Sequence, residues 1–331
     1  MLKTGIIGYG RMGKIREGEM EKNGNYELTS IADNRSDISK VKKEKIRVYN
    51  NYKKMIEKED LDCVFVCTPH SVIPKNVVDC LDGGIHTFAE KPPGTCLEDV
   101  VMMKEASKRN PNCKLKFGFN HRYYQHVSKT KEILNTGKLG NIMWMRGVYS
   151  KSGLENWRPN KKLAGRGILL GQGIHVVDLF RYFSNREFDE AKAFISYFED
   201  EDKTIEDNAL VILRANNGIV ASLHSSSVMW KRTFEINIGL DKGYINLKGL
   251  TTPTKSYGYP EQVIVSYKDN TKFVGNPKEE VYYYGKDLTW ATEIQDFADN
   301  IMKKTKVVGG SVNDAFEVMK LLEMMYKDGV R

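Results

Sequence analysis

Residues 4–14, Thr4-Gly5-Ile6-Ile7-Gly8-Tyr9-Gly10-Arg11-Met12-Gly13-Lys14, restrict the choice of fold more than any other stretch of this chain. A short apolar run, residues 5–7, leads directly into Gly8-x-Gly10-x-x-Gly13, and a helical pattern follows. Gly8 permits the tight turn out of the strand, Gly10 lets backbone approach a pyrophosphate with no Cβ in the way, and Gly13 lets the helix sit close on the sheet. The N-terminus of that helix then offers free N–H groups and a partial positive charge to phosphate. Such a turn alone is weak evidence, because glycine-rich turns are common. Here a second strand, residues 27–32, ends at Asp33, about 20 residues beyond Gly13, where a carboxylate binds the adenosine ribose hydroxyls of a dinucleotide. Tyr9, Arg11 and Met12 in the turn, and Asn34 and Arg35 after the carboxylate, are read with it as cofactor-binding positions. Asp33 favours NAD, because a carboxylate repels the extra phosphate of NADP. Arg35 would bind that phosphate if Asp33 turned away, so NADP is the alternative.

Strand and helix patterns alternate from there to about residue 121. Residues 62–67 form a nearly continuous apolar run, as expected for a parallel strand buried on both faces. It stops at Thr68-Pro69-His70, and a helix over 72–81 closes at Gly83-Gly84. Strand 85–89 runs into Glu90-Lys91-Pro92-Pro93-Gly94, Thr95 and Glu98 form a capping box for a helix through Lys108, and 115–119 make a further strand. This alternation predicts an α/β fold with an N-terminal Rossmann, doubly wound parallel sheet. Ligands of such sheets lie beyond the carboxyl ends of the strands. Thr68, Pro69, His70, Glu90, Lys91 and Asn120 are therefore assigned with Gly8, Gly10 and Asp33 to the cofactor.

The pattern changes after residue 121. A helix over 123–135, a strand over 142–149, a polar loop through Trp157-Arg158-Pro159 and a helix over 168–183 precede strands of alternating polarity. Leu210 and Ile212 point one way before a hairpin at Asn217-Gly218, and Phe234, Ile236 and Ile238 alternate with polar residues before a turn at Asp241-Lys242-Gly243. Two helices finish the chain, at 288–302 and from a Ser311…Asp314 box to just before Gly329. The expected organisation is a dinucleotide-binding domain over 1–121 and an α/β (α+β) domain over 122–331 with a large open, mostly antiparallel sheet. One face of that sheet is wet or partner-facing, a natural dimer surface.

Composition limits the class. With 331 residues the chain has room for two full cores. No stretch approaches the roughly 18 apolar residues needed to cross a bilayer. The five cysteines, at 63, 67, 80, 96 and 113, lack CxxC or His-rich spacing and read as reduced, mostly buried thiols of a cytoplasmic protein, with no metal site. The net charge of +8 raises nucleic acid as a partner. Its densest basic run, Lys40-Val41-Lys42-Lys43-Glu44-Lys45, lacks interleaved aromatics and reads as the solvated face of a surface helix.

With Glu90-Lys91-Pro92 added to these motifs, the chain resembles the glucose–fructose oxidoreductase / inositol dehydrogenase (Gfo/Idh/MocA) family over essentially its whole length. The matching pieces are the glycine turn, Thr68-Pro69, the Glu-Lys-Pro tripeptide, Gly118-Phe119-Asn120-His121-Arg122-Tyr123, Trp157-Arg158 and Gly167-Ile168-Leu169-Leu170-x-x-Gly173-Ile174-His175-x-x-Asp178. The resemblance implies a nicotinamide-dependent oxidoreductase acting at a ring carbon of a sugar, cyclitol or nucleotide sugar, and a homo-oligomer, dimer or tetramer, built through the C-terminal sheet. It also implies that Lys91 contacts the nicotinamide ribose and the reacting hydroxyl, and that His175 exchanges the hydroxyl proton. Many members carry an acid four positions before that histidine, where this chain has Gly171, and a histidine after Thr-Pro, where it has Ile73.

The residue chemistry is compatible with these roles. The ammonium of Lys91 near a substrate oxygen lowers the alcohol's pKa, and burial after an apolar strand would lower its own. His175 lies on an otherwise apolar helix, where a polar ring needs a partner, and its ordinary pKa of about 6.5 suits proton exchange. A core histidine bonded to backbone is the plainer alternative. Asp178, at i+3, either orients the imidazole or satisfies a backbone group. Trp157 and Arg158 either reach the cofactor or substrate, or form a loop anchored by a buried indole. His121, Arg122, Tyr123 and Tyr149 either line the pocket or pack at the domain junction, and His224 is structural. Two other functions remain open: a glycosidase that oxidises its sugar transiently, and a non-catalytic nicotinamide-binding sensor.

Overall fold

The computed structural model describes residues 1–35, 38, 41, 45–153, 157–202, 204–268 and 277–329. Most of the basic run at 40–45 lies outside them. The chain divides into two compact units: 1–119 with 162–165 and 290–319, and 120–161 with 166–289 and 320–331.

The first unit opens with β1 (Leu2–Ile7), α1 (Arg11–Lys22), β2 (Tyr26–Ala32), β3 (Arg47–Tyr49), α2 (Tyr52–Lys58), β4 (Cys63–Val66), α3 (Ile73–Asp82), β5 (His86–Ala89), α4 (Leu97–Arg109) and β6 (Leu115–Phe117). All six strands are parallel, in the order β3-β2-β1-β4-β5-β6. The reversal of strand order between β1 and β4 is the switch point at which such sheets bind dinucleotides. Every residue of β4 is buried, as its apolar run requires. The expected box at the start of α4 uses a different acid. The Thr95 N–H and hydroxyl donate to Asp99 Oδ2, at 2.7 and 3.0 Å, so Asp99 rather than Glu98 closes the turn.

The second unit contains α5 (Gln125–Asn135), β7 (Ile142–Ser152), α7 (Ile174–Ser184), β8 (Glu190–Ser196), β9 (Asn208–Arg214), β10 (Val220–Ser226), β11 (Val228–Leu240), β12 (Gly243–Lys248), β13 (Glu261–Tyr267) and β14 (Glu280–Tyr284). A short α6 (Lys161–Ala164), assigned from Lys162 onward to the first unit, precedes α7 in the chain. The strands order β14-β13-β12-β11-β7-β10-β9-β8, and only β7 with β10 is parallel. The hairpins turn where Asn217-Gly218 and Asp241-Lys242-Gly243 predict. The helix expected over 168–183 is not uniform: Leu169–Gly173 is a π-helical turn, and the α-helix proper starts at Ile174. Wide turns of this kind concentrate at functional sites. A Cβ on Gly147 of β7 would sit 2.5 Å from Val176 Cγ1, so glycine there admits α7 onto the sheet. The other sheet face carries Phe194 opposite Leu210, with Ile212 beside them, all exposed.

Two helices, α8 (Thr289–Met302) and α9 (Val312–Gly329), finish the chain. The Ser311…Asp314 box forms, with the Ser311 N–H and hydroxyl donating to Asp314 Oδ2 at 2.9 and 2.7 Å. From Trp290 onward α8 belongs to the first unit, where Ile294, Phe297, Ala298 and Ile301 share a buried core with Ile6, Ile31, Phe65 and Phe88. Phe65 stacks on Phe88 with ring centroids 4.9 Å apart, and Phe297 meets both edge-on.

Candidate active site

In the first unit the glycine turn has the shape its spacing implies. Gly8 lies at φ +89°, and a Cβ there would press to 2.7 Å on Cys67 backbone. A Cβ on Gly13 would come within 2.4 Å of Gly8 O, so α1 closes directly on the turn. At Gly10, the residue preceding α1, a Cβ would meet nothing within 4 Å. That open space in front of a helix N-terminus is a cradle of the kind a pyrophosphate fills. Tyr9, Arg11 and Met12 flank it in sequence, and the Tyr9 hydroxyl donates to Glu17 Oε2 at 2.5 Å.

Asp33 stands just past β2 and faces this turn. Its carboxylate accepts from Tyr9 N–H at 2.7 Å and from Arg35 N–H and Nε at 3.0 Å, while an Arg35 terminal nitrogen donates to Tyr9 O at 3.0 Å. The carboxylate is thus held in place rather than turned away, with the half-exposed Arg35 folded onto it. NAD is therefore expected to bind at least several-fold more tightly than NADP, and Asp33→Ala to narrow that gap. Fluorescence titration of both cofactors checks this, and an NADP preference in the unsubstituted protein would overturn it.

The remaining first-unit candidates follow β4 and β5. The Thr68 hydroxyl donates to Asn76 Oδ1 at 3.0 Å, and His70, after Pro69, bonds through Nδ1 to Ala164 O at 3.1 Å. Glu90 is buried and paired with Arg16, whereas the adjoining Lys91 is half-buried. Asn34 is exposed at the rim.

The second unit collects a buried cluster of rings. His121, on the helical turn Asn120–Tyr123, stacks on His175 of α7 with centroids 3.6 Å apart and planes 22° from parallel. His121 Nδ1 lies 3.1 Å from Asn120 Oδ1 and Nε2 lies 3.3 Å from the Tyr149 hydroxyl. Tyr149 in turn meets Tyr257 edge-on at 5.7 Å, and Gln172 Nε2 donates to the Tyr257 hydroxyl at 3.3 Å. Burial pushes the Tyr149 hydroxyl well up, so it stays a donor. Asp178 has a partner that neither sequence reading named. It receives Arg122 in a two-pronged pair at 2.8 and 2.5 Å, and both side chains are buried. Tyr123 is half-buried, and the Arg158 guanidinium lies 5.2 Å over the Trp157 ring. His224 bonds Asn208 at 2.9 Å in the sheet, a structural role. Gln172 and Tyr257 were not legible as site residues. One follows Gly171 on an apolar helix and the other sits in a loop without a motif.

Comparison with known proteins decides the family. Residues 2–119 match the model of the oxidoreductase family with an NAD-binding Rossmann fold, and 127–246 match the GFO/IDH/MocA C-terminal domain. The chain is 31% identical over 231 residues to myo-inositol 2-dehydrogenase of Thermotoga maritima, covering 68% of each. The chain belongs to the Gfo/Idh/MocA family.

Other Gfo/Idh/MocA relatives are more distant. D-glucoside 3-dehydrogenase of Escherichia coli is 27% identical over 188 residues, 55% of this chain and 53% of that protein. Levoglucosan dehydrogenase in complex with NADH shares the fold at a TM-score of 0.87 and 20% identity, over 99% of this chain and 96% of that one. This Gfo/Idh/MocA chain is accordingly an oxidoreductase with an NAD-binding Rossmann domain, and the cradle at Gly10 with the fixed Asp33 fits that cofactor. Among its described residues no helix is long and apolar enough to cross a membrane.

Proposed function

We propose that the chain is an NAD-dependent dehydrogenase acting on a ring hydroxyl of a sugar, cyclitol or nucleotide sugar. Lys91 binds the reacting oxygen and His175 takes the hydroxyl proton. The observation that carries this reading is His175 itself, a buried imidazole held among His121, Tyr149 and their hydrogen-bond partners rather than in a plain apolar core. When bound, the nicotinamide supplies the hydride chemistry. The ammonium of Lys91 stabilises the alkoxide character that grows on the substrate oxygen, and the imidazole receives the proton released. Relatives named as myo-inositol, D-glucoside and levoglucosan dehydrogenases support the substrate class.

A panel of cyclitols, sugars and nucleotide sugars offered with NAD tests the proposal. At least one member is expected to give net NADH fluorescence. Cofactor binding without net NADH from any of them would overturn the dehydrogenase reading and return the glycosidase or sensor.

We further infer a homo-oligomer, a dimer or tetramer, that pairs through the open face of the eight-stranded sheet. Phe194 is 77% and Ile212 54% exposed there, with Leu210 between them, an apolar patch of the kind that marks an interface. Sedimentation is expected to give a mass of at least twice the 37.8 kDa chain, lowered by Ile212→Glu. A monomer at micromolar concentration would remove the inference.

A further inference from the structure

We infer that His121 is the positioning residue for His175, filling the orienting part that an acid at position 171 would otherwise play. The inference rests on the assignment of His175 as proton acceptor. Both nitrogens of His121 are engaged. Nδ1 lies 3.1 Å from the Asn120 carboxamide oxygen, and Nε2 lies 3.3 Å from the Tyr149 hydroxyl. A ring with both nitrogens engaged is held against turning. Tyr124 meets its edge at 5.2 Å, Phe234 lies at 5.7 Å, and its face is stacked on His175 at 3.6 Å.

The stack fixes the His175 ring plane, whereas a carboxylate brings charge as well as orientation. A carboxylate at 171 would do both, because it would stabilise the imidazolium as well as orient it. Several charged groups of the same unit are engaged with other residues. Arg122 holds Asp178, His126 Nδ1 lies 2.9 Å from Glu261, and Arg232 lies over the Tyr257 ring. Position 171 has room for the acid, since a Cβ there would meet nothing within 4 Å. It lies on the π-helical turn that leads into His175.

An exchange of the two devices tests the inference. His121→Phe keeps a ring on the stack but removes both hydrogen bonds. It is expected to lower kcat roughly 10²-fold, the scale of a misplaced catalytic group, with KM changed by less than about threefold. Adding Gly171→Asp to that variant is expected to recover roughly tenfold. It should also move the acidic limb of the oxidation profile upward by roughly one pH unit, since the carboxylate raises proton affinity at His175.

A residue that merely packs would give a loss that Gly171→Asp does not recover. His121→Phe with unaltered turnover, or with a loss Gly171→Asp leaves untouched, would therefore overturn the inference. Should His121→Phe fail to fold, Tyr149→Phe removes the anchoring hydroxyl and must show the same recovery in smaller measure. His175→Ala at the unsubstituted protein's turnover would instead sink the assignment of His175, so the two failures are distinguishable.

Discussion

Lys91→Ala and His175→Ala are each expected to lower kcat by about 10²- to 10⁴-fold, the usual contribution of a positioned acid–base group. The two losses should differ in kind. Without Lys91 no ammonium meets the substrate oxygen, so a substrate hydroxyl must ionise unaided. Lys91→Arg should not restore the rate, because a planar guanidinium presents its charge in a different geometry and does not share a proton near neutrality. Without His175 the proton has no acceptor, and the acidic limb of the oxidation profile should vanish along with the rate. Both variants should still bind NADH, because the turn at Gly8–Gly13 and the Asp33 clasp are untouched. Initial rates and NADH fluorescence titration on the same preparations separate these effects. Turnover within a few-fold of the unsubstituted enzyme in Lys91→Ala would remove that residue from the chemistry.

The parts of the fold that the sequence makes legible are those in which one local rule acts alone. The β4 run of Cys63-Val64-Phe65-Val66 needs burial on both faces, and only a central parallel strand supplies it. The turns at Gly8–Gly13 and at Asn217–Gly218 are equally local, because backbone conformation there selects glycine. The association of α8 with the first sheet was not legible. The spacing of Ile294, Phe297, Ala298 and Ile301 announces an apolar stripe but cannot say which of two sheets it covers. The site shows the same division. Lys91, His175 and Asp33 carry motifs, whereas the stack of His121 on His175 joins a helical turn to a helix 54 positions later, a relation with no local signature. Helix α1 is the clearest failure of pattern reading. Its buried stripe is Gly13, Arg16, Glu17 and Met20, so half of the inward face is charged. Periodicity would turn such residues to solvent. They point inward because each finds a partner there.

The partners of Arg16 lead to the largest expected loss of stability. Its side chain is fully buried, within 2.7 Å of both Glu90 and Glu293, and its guanidinium lies 4.4 Å over the Phe88 ring and 4.9 Å over Trp290. Arg16→Met would keep most of the volume and leave two carboxylates facing each other out of water. Removing one partner of a buried ion cluster costs about 3–5 kcal/mol, a large share of the margin of a typical domain. The cost should depend on pH. Burial already pushes Glu293 up to about 7, against the opposing pull of Arg16. A carboxyl whose folded value is raised gives stability that is complete below its unfolded value, about 4.3, and is lost as pH rises through the folded value. In the unsubstituted protein this contribution therefore declines between about pH 4.3 and 7. Without the guanidinium Glu293 takes up its proton more readily in the folded state, so the variant's deficit should be small near pH 4.5 and largest near pH 8. Urea unfolding at the two values, with Arg16→Lys alongside, measures it. Lysine brings a charge but no fork to span two carboxylates, and should recover only part of the loss. An Arg16→Met protein as stable as the unsubstituted one at pH 8 would show that the cluster contributes nothing net to the fold.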